Sequence, residues 1–421
     1  MSDEQPFAGI RVIEFGQFVA VPFCSQLLAQ GGAEVIKVES LEGDPVRQLG
    51  QLVEGETRIF LSRNRGKHSL PLALRHPAAA DVIDRLLGNA DVVLMNFRPG
   101  LAASIGLDPN TLHARYPRLV IGTVTPFGEH GPDASRAGMD IVVQARSGLM
   151  VANGREEHGR PAQGDPVSAD YMCAMTLAFG ISAALLRRTA TGEGSIVHTS
   201  LLQAALTINN NQMLRVDSVE SEQHAVAIQR LRERRREGAG YAELRSSLPT
   251  SRASSIRSVY FRTYNSSDGW IAVACGSPGL RRRFAAAIGL DDPHAGADFE
   301  GADDYYHHLE SIAEGLMAAK TTAEWETILD EAGVPASDVR FPIELLDDPQ
   351  LEANGMLSDI EHSTLGRIRA PAPPLSLDEH GFQTVPVTGR FGSETRPILA
   401  ALGFDDPAID ALIAEGVTRE G

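Results

Sequence analysis

The sequence predicts an α/β fold: an open, doubly wound, mainly parallel sheet (Rossmann-like) as the large domain, with a smaller α/β domain attached. Three observations lead there. Short β-branched runs alternate with helix-length stretches through the first half of the chain. The 421 residues exceed the ~250–300 that one hydrophobic core usually organises. Beyond about residue 214 the alternation stops, and a hairpin pattern followed by helices takes over.

Ile10–Phe15 (IRVIEF) reads as the first strand. Pro22 opens a helical stretch through Leu28, and Gly31-Gly32 closes it, as proline at a first turn and glycine after a last turn should. Glu34–Val38 and Leu70–Leu74 read as strands. Pro77 starts a helix with apolar Val82, Ile83, Leu86 and Leu87. Asp91–Met95 is a strand, Asp108-Pro109 caps a short helix, and Leu119–Thr125 is a further strand. Strands separated by helices of this length form βαβ units. A long alanine-rich helix spans Ala169–Arg188, then a strand Ser195–Thr199 and a helix Leu201–Leu214.

Gln229–Glu237 (QRLRERRRE) is a mixed charge run, read as a solvated helix or linker. Gly238–Arg257 reads as an extended connection. Tyr260–Ala274, turning at Ser267-Asp268-Gly269, reads as a β-hairpin opening the second domain. Helices are expected at Gly279–Ile288, Asp304–Ala319 and Thr321–Ala332, the last with a capping box on Thr321 and Glu324. The tail from about Asp348 carries prolines, short strands and two short helices. The expected boundaries are 1–213 for the large domain, 214–257 for a linker, 258–335 for the small domain and 336–421 for a return to the large one.

Lys and Arg number 38 against 55 Asp and Glu, a net charge of −17. That balance argues against general nucleic-acid binding and against docking on an anionic membrane. Cys24, Cys173 and Cys275 are three and widely spaced, giving neither a disulfide framework nor a zinc pattern. With no apolar run near the ~18 residues of a membrane span and an acidic, polar start (MSDEQPFAG), a cytoplasmic location is expected. Lysine stands only at Lys37, Lys67 and Lys320. No G-x-G-x-x-G follows the first strand, where Gly16–Pro22 reads GQFVAVP, and there is no P-loop and no G-x-S-x-G elbow. The histidines lack metal-ligand spacing. A parallel sheet still presents ligand sites at the carboxyl ends of its strands. These are Phe15–Val21, Glu39–Arg47, Asn96–Arg98 and Thr125–Met139.

At those ends the chain resembles the class III coenzyme A transferase family, which includes formyl-CoA and carnitine CoA transferases and the methylacyl-CoA racemases. The segments carrying the resemblance are Gly9–Phe15 (GIRVIEF), Gly32–Glu39 (GAEVIKVE), Gly43–Arg47 (GDPVR), Asn64–Ser69 (NRGKHS) and Ala90–Gly100 (ADVVLMNFRPG). Tyr116–Leu119, Phe127–Pro132, Gly138–Met150, Asp170 and Gly192–Leu201 follow in order. The resemblance implies that the large domain binds CoA, that no cofactor is tightly bound, and that acyl-CoA and a small carboxylic acid are the substrates. It also implies an interlaced homodimer.

The resemblance assigns Asp170 as the catalytic nucleophile. By its position alone Asp170 is an N-cap or first-turn carboxylate of the long helix. Carried over position by position, Asn96, Phe97 and Arg98 line the nucleotide end of CoA, with Arg98 on a phosphate or on adenine. Leu72, Ala73, Leu74 and Arg75 match another adenine-side stretch. Val19 and Ala20 fall at the thioester end, and Ala137, Gly138, Met139 and Asp140 at the pantetheine and acyl region. Ser40 and Ser104 stand where arginines are common, so part of the phosphate grip comes from elsewhere. Gly238-Ala239-Gly240 is the candidate oxyanion loop, with a flexible linker as the alternative. In the racemase branch a histidine occupies the position of Met139, and a thioether exchanges no proton near neutral pH. Acyl-CoA:carboxylate CoA transfer is therefore favoured over α-methylacyl-CoA epimerisation and over a catalytically silent CoA-binding protein.

Overall fold

The computed structural model describes residues 5–98, 100–164, 166–248, 253–295, 302–378 and 380–421. The chain forms two compact units, residues 1–221 with 349–421, and residues 222–348. The first unit is built on a six-stranded parallel sheet. Its strands are β1 (Arg11–Phe15), β2 (Glu34–Glu39), β3 (Lys67–Pro71), β4 (Val92–Met95), β5 (Val120–Thr125) and β6 (Ile196–Ser200). They lie in the order β6-β5-β4-β1-β2-β3, every neighbouring pair parallel. The order reverses between β1 and β4. In open α/β sheets that reversal leaves a crevice at the carboxyl ends of the two strands.

Both faces of the sheet are covered, so its strands are apolar on both sides. Val12, Val35, Val92, Leu94 and Val120 pack against helices α1 (Ala20–Gln30), α6 (Ser168–Thr191) and α7 (Leu201–Ile208). Ile13, Phe15, Ile36, Val93 and Ile121 pack against α3 (Ala79–Gly88), α4 (Pro109–Arg115) and helices Thr395–Ala401 and Asp406–Ala414 of the tail. Two further helices shape the site, α2 (Arg58–Arg63) and α5 (Asp140–Ser147).

Helix α6 has the length and apolar composition to cross a bilayer, which the expectation of no such run did not anticipate. Its alanines and leucines bury one face, through Cys173, Ala174, Leu177, Ile181 and Leu185, in the first core layer. Phe179 and Leu186, on the other face, are exposed.

Strand β3 lies earlier than the expected Leu70–Leu74, because its polar residues are buried. Lys67 and Ser69 are buried beside an ionic cluster, and that breaks the apolar pattern a reader looks for. Glu14, Lys37 and Lys67 have fully buried side chains. Glu14 accepts from Lys37 Nζ at 2.9 Å and lies 2.8 Å from Lys67 Nζ. Lys37 also reaches Asp44 at 2.9 Å and the Gly16 carbonyl at 2.8 Å. Lys67 also donates to the Pro22 carbonyl and to Asn64, and Ser25 of α1 donates to Glu14. Burial alone would raise the Glu14 carboxyl, but Lys37 and Lys67 hold it down at about 2. Beside this cluster, Arg47 makes a two-pronged pair with Glu39 (2.8 and 3.0 Å) and lies 3.5 Å over the Phe60 ring.

The second unit holds a three-stranded antiparallel sheet, Phe261–Asn265, Trp270–Ala274 and Ala336–Asp338. Helices Pro278–Ile288, Ala302–Met317 and Thr322–Glu331 pack on a core that includes Tyr260, Phe284, Tyr306 and Trp325. The Thr321–Glu324 capping box is present. The charge run lies on helix α8 (Asp217–Arg236), which buries no residue. The expected extended connection Gly238–Arg257 is instead largely helical, with helices Tyr241–Ser246 and Ala253–Tyr260; residues 249–252 lie outside the described ones. The first forms because Tyr241–Ser246 holds no helix breaker and Glu243 reaches back to the Gly240 N–H at 3.2 Å. Helix Leu201–Leu214 breaks at Asn209, whose amide donates to the Ser147 carbonyl at 3.4 Å.

Replacing Lys67 by Met leaves a buried carboxylate with one cation fewer. Urea unfolding should show a loss of about 3–5 kcal/mol, and adding Glu14→Gln should recover part of it.

Candidate active site

The loop after β1, Gly16–Val19, is fixed from several sides. A Cβ on Gly16 would meet Val21 Cγ1 at 2.2 Å, so only glycine lets the chain turn here. Phe18 takes a left-handed backbone, with φ 67°, a strained choice for a bulky residue. Lys37 holds the Gly16 carbonyl, and across the crevice both ends of the Asn96 amide clamp Gln17: its oxygen accepts from Gln17 N at 3.0 Å and its nitrogen donates to Gln17 O at 2.8 Å. Held this way, the loop starts α1 so that the Ala20 N–H bears on the carboxylate of Asp170 and favours its charged form.

Asp170 is half-buried in the first turn of α6, at its third residue. The N-cap is Val167, which offers no side-chain acceptor. Asp140, the first residue of α5, does that work: its Oδ1 accepts from Ala169 N at 3.0 Å and from Asp170 N at 3.1 Å. Its Oδ2 accepts from Gln144, one turn further along α5, and from Gln163 at 3.5 Å. Gln144 in turn accepts from Gly164 N at 3.1 Å, tying down the strand of chain that leads into α6. Thus α6 is capped by a carboxylate from another helix, and two carboxylates face each other at its start.

That pairing sets the charge of the site. Burial and the neighbouring Asp140 charge push the Asp170 carboxyl up to about 7, against the pull of Arg63 and the Ala20 N–H. Arg63, the last residue of α2, donates from Nε to the Tyr171 hydroxyl at 3.1 Å. The Tyr171 ring stands edge-on to Phe23 at 5.0 Å. Burial, with a further contribution from Asp170, raises the Cys173 thiol to about 12, so it stays a protonated thiol.

The crevice brings Val19 and Ala20 together with Asn96, Phe97 packing on Phe15 at 6.0 Å, Asp140 and Asp170. Ala137 and Met139 are exposed beside them and Gly138 half-buried. Leu72, Ala73, Leu74 and Arg75 follow β3, separated from the Asn96–Arg98 segment by the ends of β1 and β2. Leu72 is fully buried in the second core layer, so its side chain packs the fold. Arg75 and Arg98 are exposed, and among the described residues neither has a carboxylate within 4.0 Å. Ser40 closes its own turn onto the Gly43 carbonyl, and exposed Ser104 closes another onto the Leu101 carbonyl. Arg47 is spent on Glu39 and Glu56. Gly238–Gly240 joins α8 to the next helix in the other unit.

Sequence reading missed Arg63, Gln144, Gln163 and Tyr171. The four-residue spacing of Asp140 and Gln144 was a usable signal, since such residues share a helix face. Nothing local marked Arg63, which comes from an element 108 residues away from Tyr171.

Residues 7–390 match the family model described as CoA-transferase family III, so the chain belongs to that family of enzymes. Among its relatives is a probable fatty acyl-CoA transferase of Mycobacterium tuberculosis, 31% identical over 89% of this chain and 96% of the relative. A succinyl-CoA–D-citramalate CoA-transferase of Chloroflexus aurantiacus is 30% identical, over 96% of each chain. The fold is similar to that of a CAIB/BAIF family protein from Brucella suis, with a TM-score of 0.73 and 26% identity, covering 95% of this chain and 100% of the other.

The Asp140 charge is the part of this arrangement easiest to remove. Asp140→Ala should lower the Asp170 pKa below 7, read by carboxyl infrared titration of isotope-labelled protein. It should also cost about 1–2 kcal/mol of stability through the lost cap.

Proposed function

We propose that the protein moves CoA from an acyl-CoA thioester to a free carboxylic acid through covalent intermediates on Asp170. The observation that carries this reading is one half-buried carboxylate in the first turn of α6, its backbone N–H held by Asp140 at the sheet's reversal point. An Asp170 oxygen attacks the thioester carbonyl; the C–S bond breaks and CoA leaves as thiolate, giving a mixed anhydride. The thiolate attacks the Asp170 carbonyl carbon, releasing the donor acid as carboxylate and leaving an aspartyl-CoA thioester. The acceptor carboxylate attacks that thioester and expels the thiolate again. The thiolate then attacks the acceptor's acyl carbon, forming the new acyl-CoA and restoring Asp170. The thioester bond is conserved throughout, with no net proton transfer.

Each attack on the Asp170 carbon places negative charge on its oxygen. The Ala20 N–H favours negative charge on this carboxylate, and the α6 N-terminus adds a favourable dipole. Epimerisation would need a second proton carrier. Met139 at the α5 N-cap is 54% exposed and carries a thioether, which supports transfer over proton exchange. For CoA itself, exposed Arg98 and Arg75 are our phosphate contacts, and Val19–Ala20 and Ala137–Asp140 border the reacting end. Asp140 acts there through its hydrogen bonds to the α6 backbone. The exposed apolar stripe Met175, Phe179 and Leu186 on α6 supports a homodimer.

Asp170→Asn and Asp170→Ala should each reduce transfer by on the order of 10³-fold or more while CoA still binds. Label from a free acid should enter acyl-CoA with the wild type and not with either variant; exchange retained by Asp170→Asn would remove Asp170 as nucleophile.

Formation of the aspartyl adduct should rise with pH around a midpoint near 7, because only the carboxylate attacks. The stability sign is opposite. The folded pKa lies above the unfolded one, so the protonated carboxyl adds stability at low pH that is lost as pH rises through about 7. Above pH 8, Asp170→Asn should therefore be more stable than wild type by about 1–2 kcal/mol in urea unfolding, allowing for partial exposure. The two variants should differ little from each other through capping, since Asp140 supplies the cap.

A further inference from the structure

Arg63 differs from the cations of the buried ionic clusters. Lys37, Lys67 and Arg47 are buried and each is paired with carboxylates at 3.3 Å or less. Arg63 is half-buried, and among the described residues it has no carboxylate within 4.0 Å. Its Nε is taken by the Tyr171 hydroxyl, and its guanidinium carbon lies 5.4 Å from the Tyr171 ring centre. Tyr171 is itself braced by Phe23. The orientation of the group is therefore set, while its two Nη atoms make no hydrogen bond to any described residue. Two parallel N–H donors in a fixed plane are what a carboxylate accepts.

We propose that Arg63 docks the reacting carboxylate of the free acid, holding it for attack on the CoA-bearing Asp170. The proposal rests on the transfer reading above and adds the group that recognises the acid. At rest, the charge of Arg63 acts on Asp170, the residue next to Tyr171. Once Asp170 carries CoA as a thioester, that negative charge is gone. The arginine then faces a neutral acyl carbon, and a second anion can take the place of the first. The same exchange runs backwards when the acid departs as acyl-CoA and Asp170 recovers its charge. Because the docked group is the reacting carboxylate, the rest of the acid is not read by Arg63, and monocarboxylic and dicarboxylic acids depend on it equally.

The test uses the full-length protein at pH 8.5, above the Asp170 midpoint of about 7. Acetyl-CoA, succinyl-CoA and cinnamoyl-CoA are assayed against acetate, glutarate and phenyllactate to find the pairs the wild type turns over. For those pairs Arg63→Met should raise KM for the acid by roughly 10–100-fold and leave KM for the acyl-CoA unchanged. Arg63→Lys should recover part of the loss, as a point charge without the fork. Tyr171→Phe, which frees the guanidinium, should raise KM for the acid by a smaller factor. Adduct formation on Asp170 from acyl-CoA alone should stay within a few-fold of wild type in Arg63→Met, showing a folded site. An unchanged acid KM, an equal rise for acyl-CoA, or a loss confined to dicarboxylic acids overturns the proposal and leaves the transfer reading standing. If the wild type transfers CoA between no pair, the transfer reading falls first and the proposal with it.

Discussion

Glu14 sits at the centre of the molecule's construction. Its two oxygens hold Lys37 and Lys67, which arrive from the two strands next along the sheet. Through those lysines it reaches Gly16, Pro22, Asp44 and Asn64, so one carboxylate organises the loop after β1, the first turn of α1 and the turns flanking β2 and β3. Ion pairs in so dry a place repay little of their desolvation. What they add is position: a backbone loop of this kind has few apolar side chains with which to fix itself. Lysine is the suitable cation, because three donors on one small head can join a carboxylate to two carbonyl or amide oxygens at once.

The consequence reaches Asp170 through one peptide unit. The loop held by Lys37 and Asn96 ends at Val19, and the next N–H, of Ala20, meets the Asp170 carboxylate. From the opposite side Asp140 fixes the same carboxylate's backbone. The β1 loop and the α6 start are far apart in the chain, yet each is determined by a buried polar network. Neither network depends on the other for its partners. A rigid site at the sheet's reversal point follows from the two together.

Much of this was legible in the sequence and some was not. The parallel sheet, its strand sequence and the long alanine-rich helix follow from apolar periodicity, which local residues carry. Position β3 was misread because Lys67 and Ser69 are buried polar residues, and burial of a lysine is not written in its neighbours. The region after Gly238 was misread because its glycines and serines suggest an open connection, while a single Glu243 closes a helix. In the site, Asp170 was identifiable as a carboxylate at a helix start, but the cap itself belongs to Asp140, 30 residues earlier. Lys37 and Lys67 drew notice as rare residues within motifs, and their role required the distances.

A site that transfers CoA by the proposed route, without moving protons, has an electrostatic difficulty that histidine-based enzymes avoid. Its nucleophile is an anion, its leaving group is an anion, and the acid it must capture is an anion too. Two carboxylates placed side by side make the first of these less stable: Asp140 raises the energy of ionised Asp170, and with it the basicity that the proposed attack on a thioester would use. If the neighbouring charge were simply cancelled by a tight salt bridge, that basicity would fall and the anion would become a poorer nucleophile. Arg63 is far enough from Asp170 to form no such bridge, and near enough to favour the carboxylate over the acid.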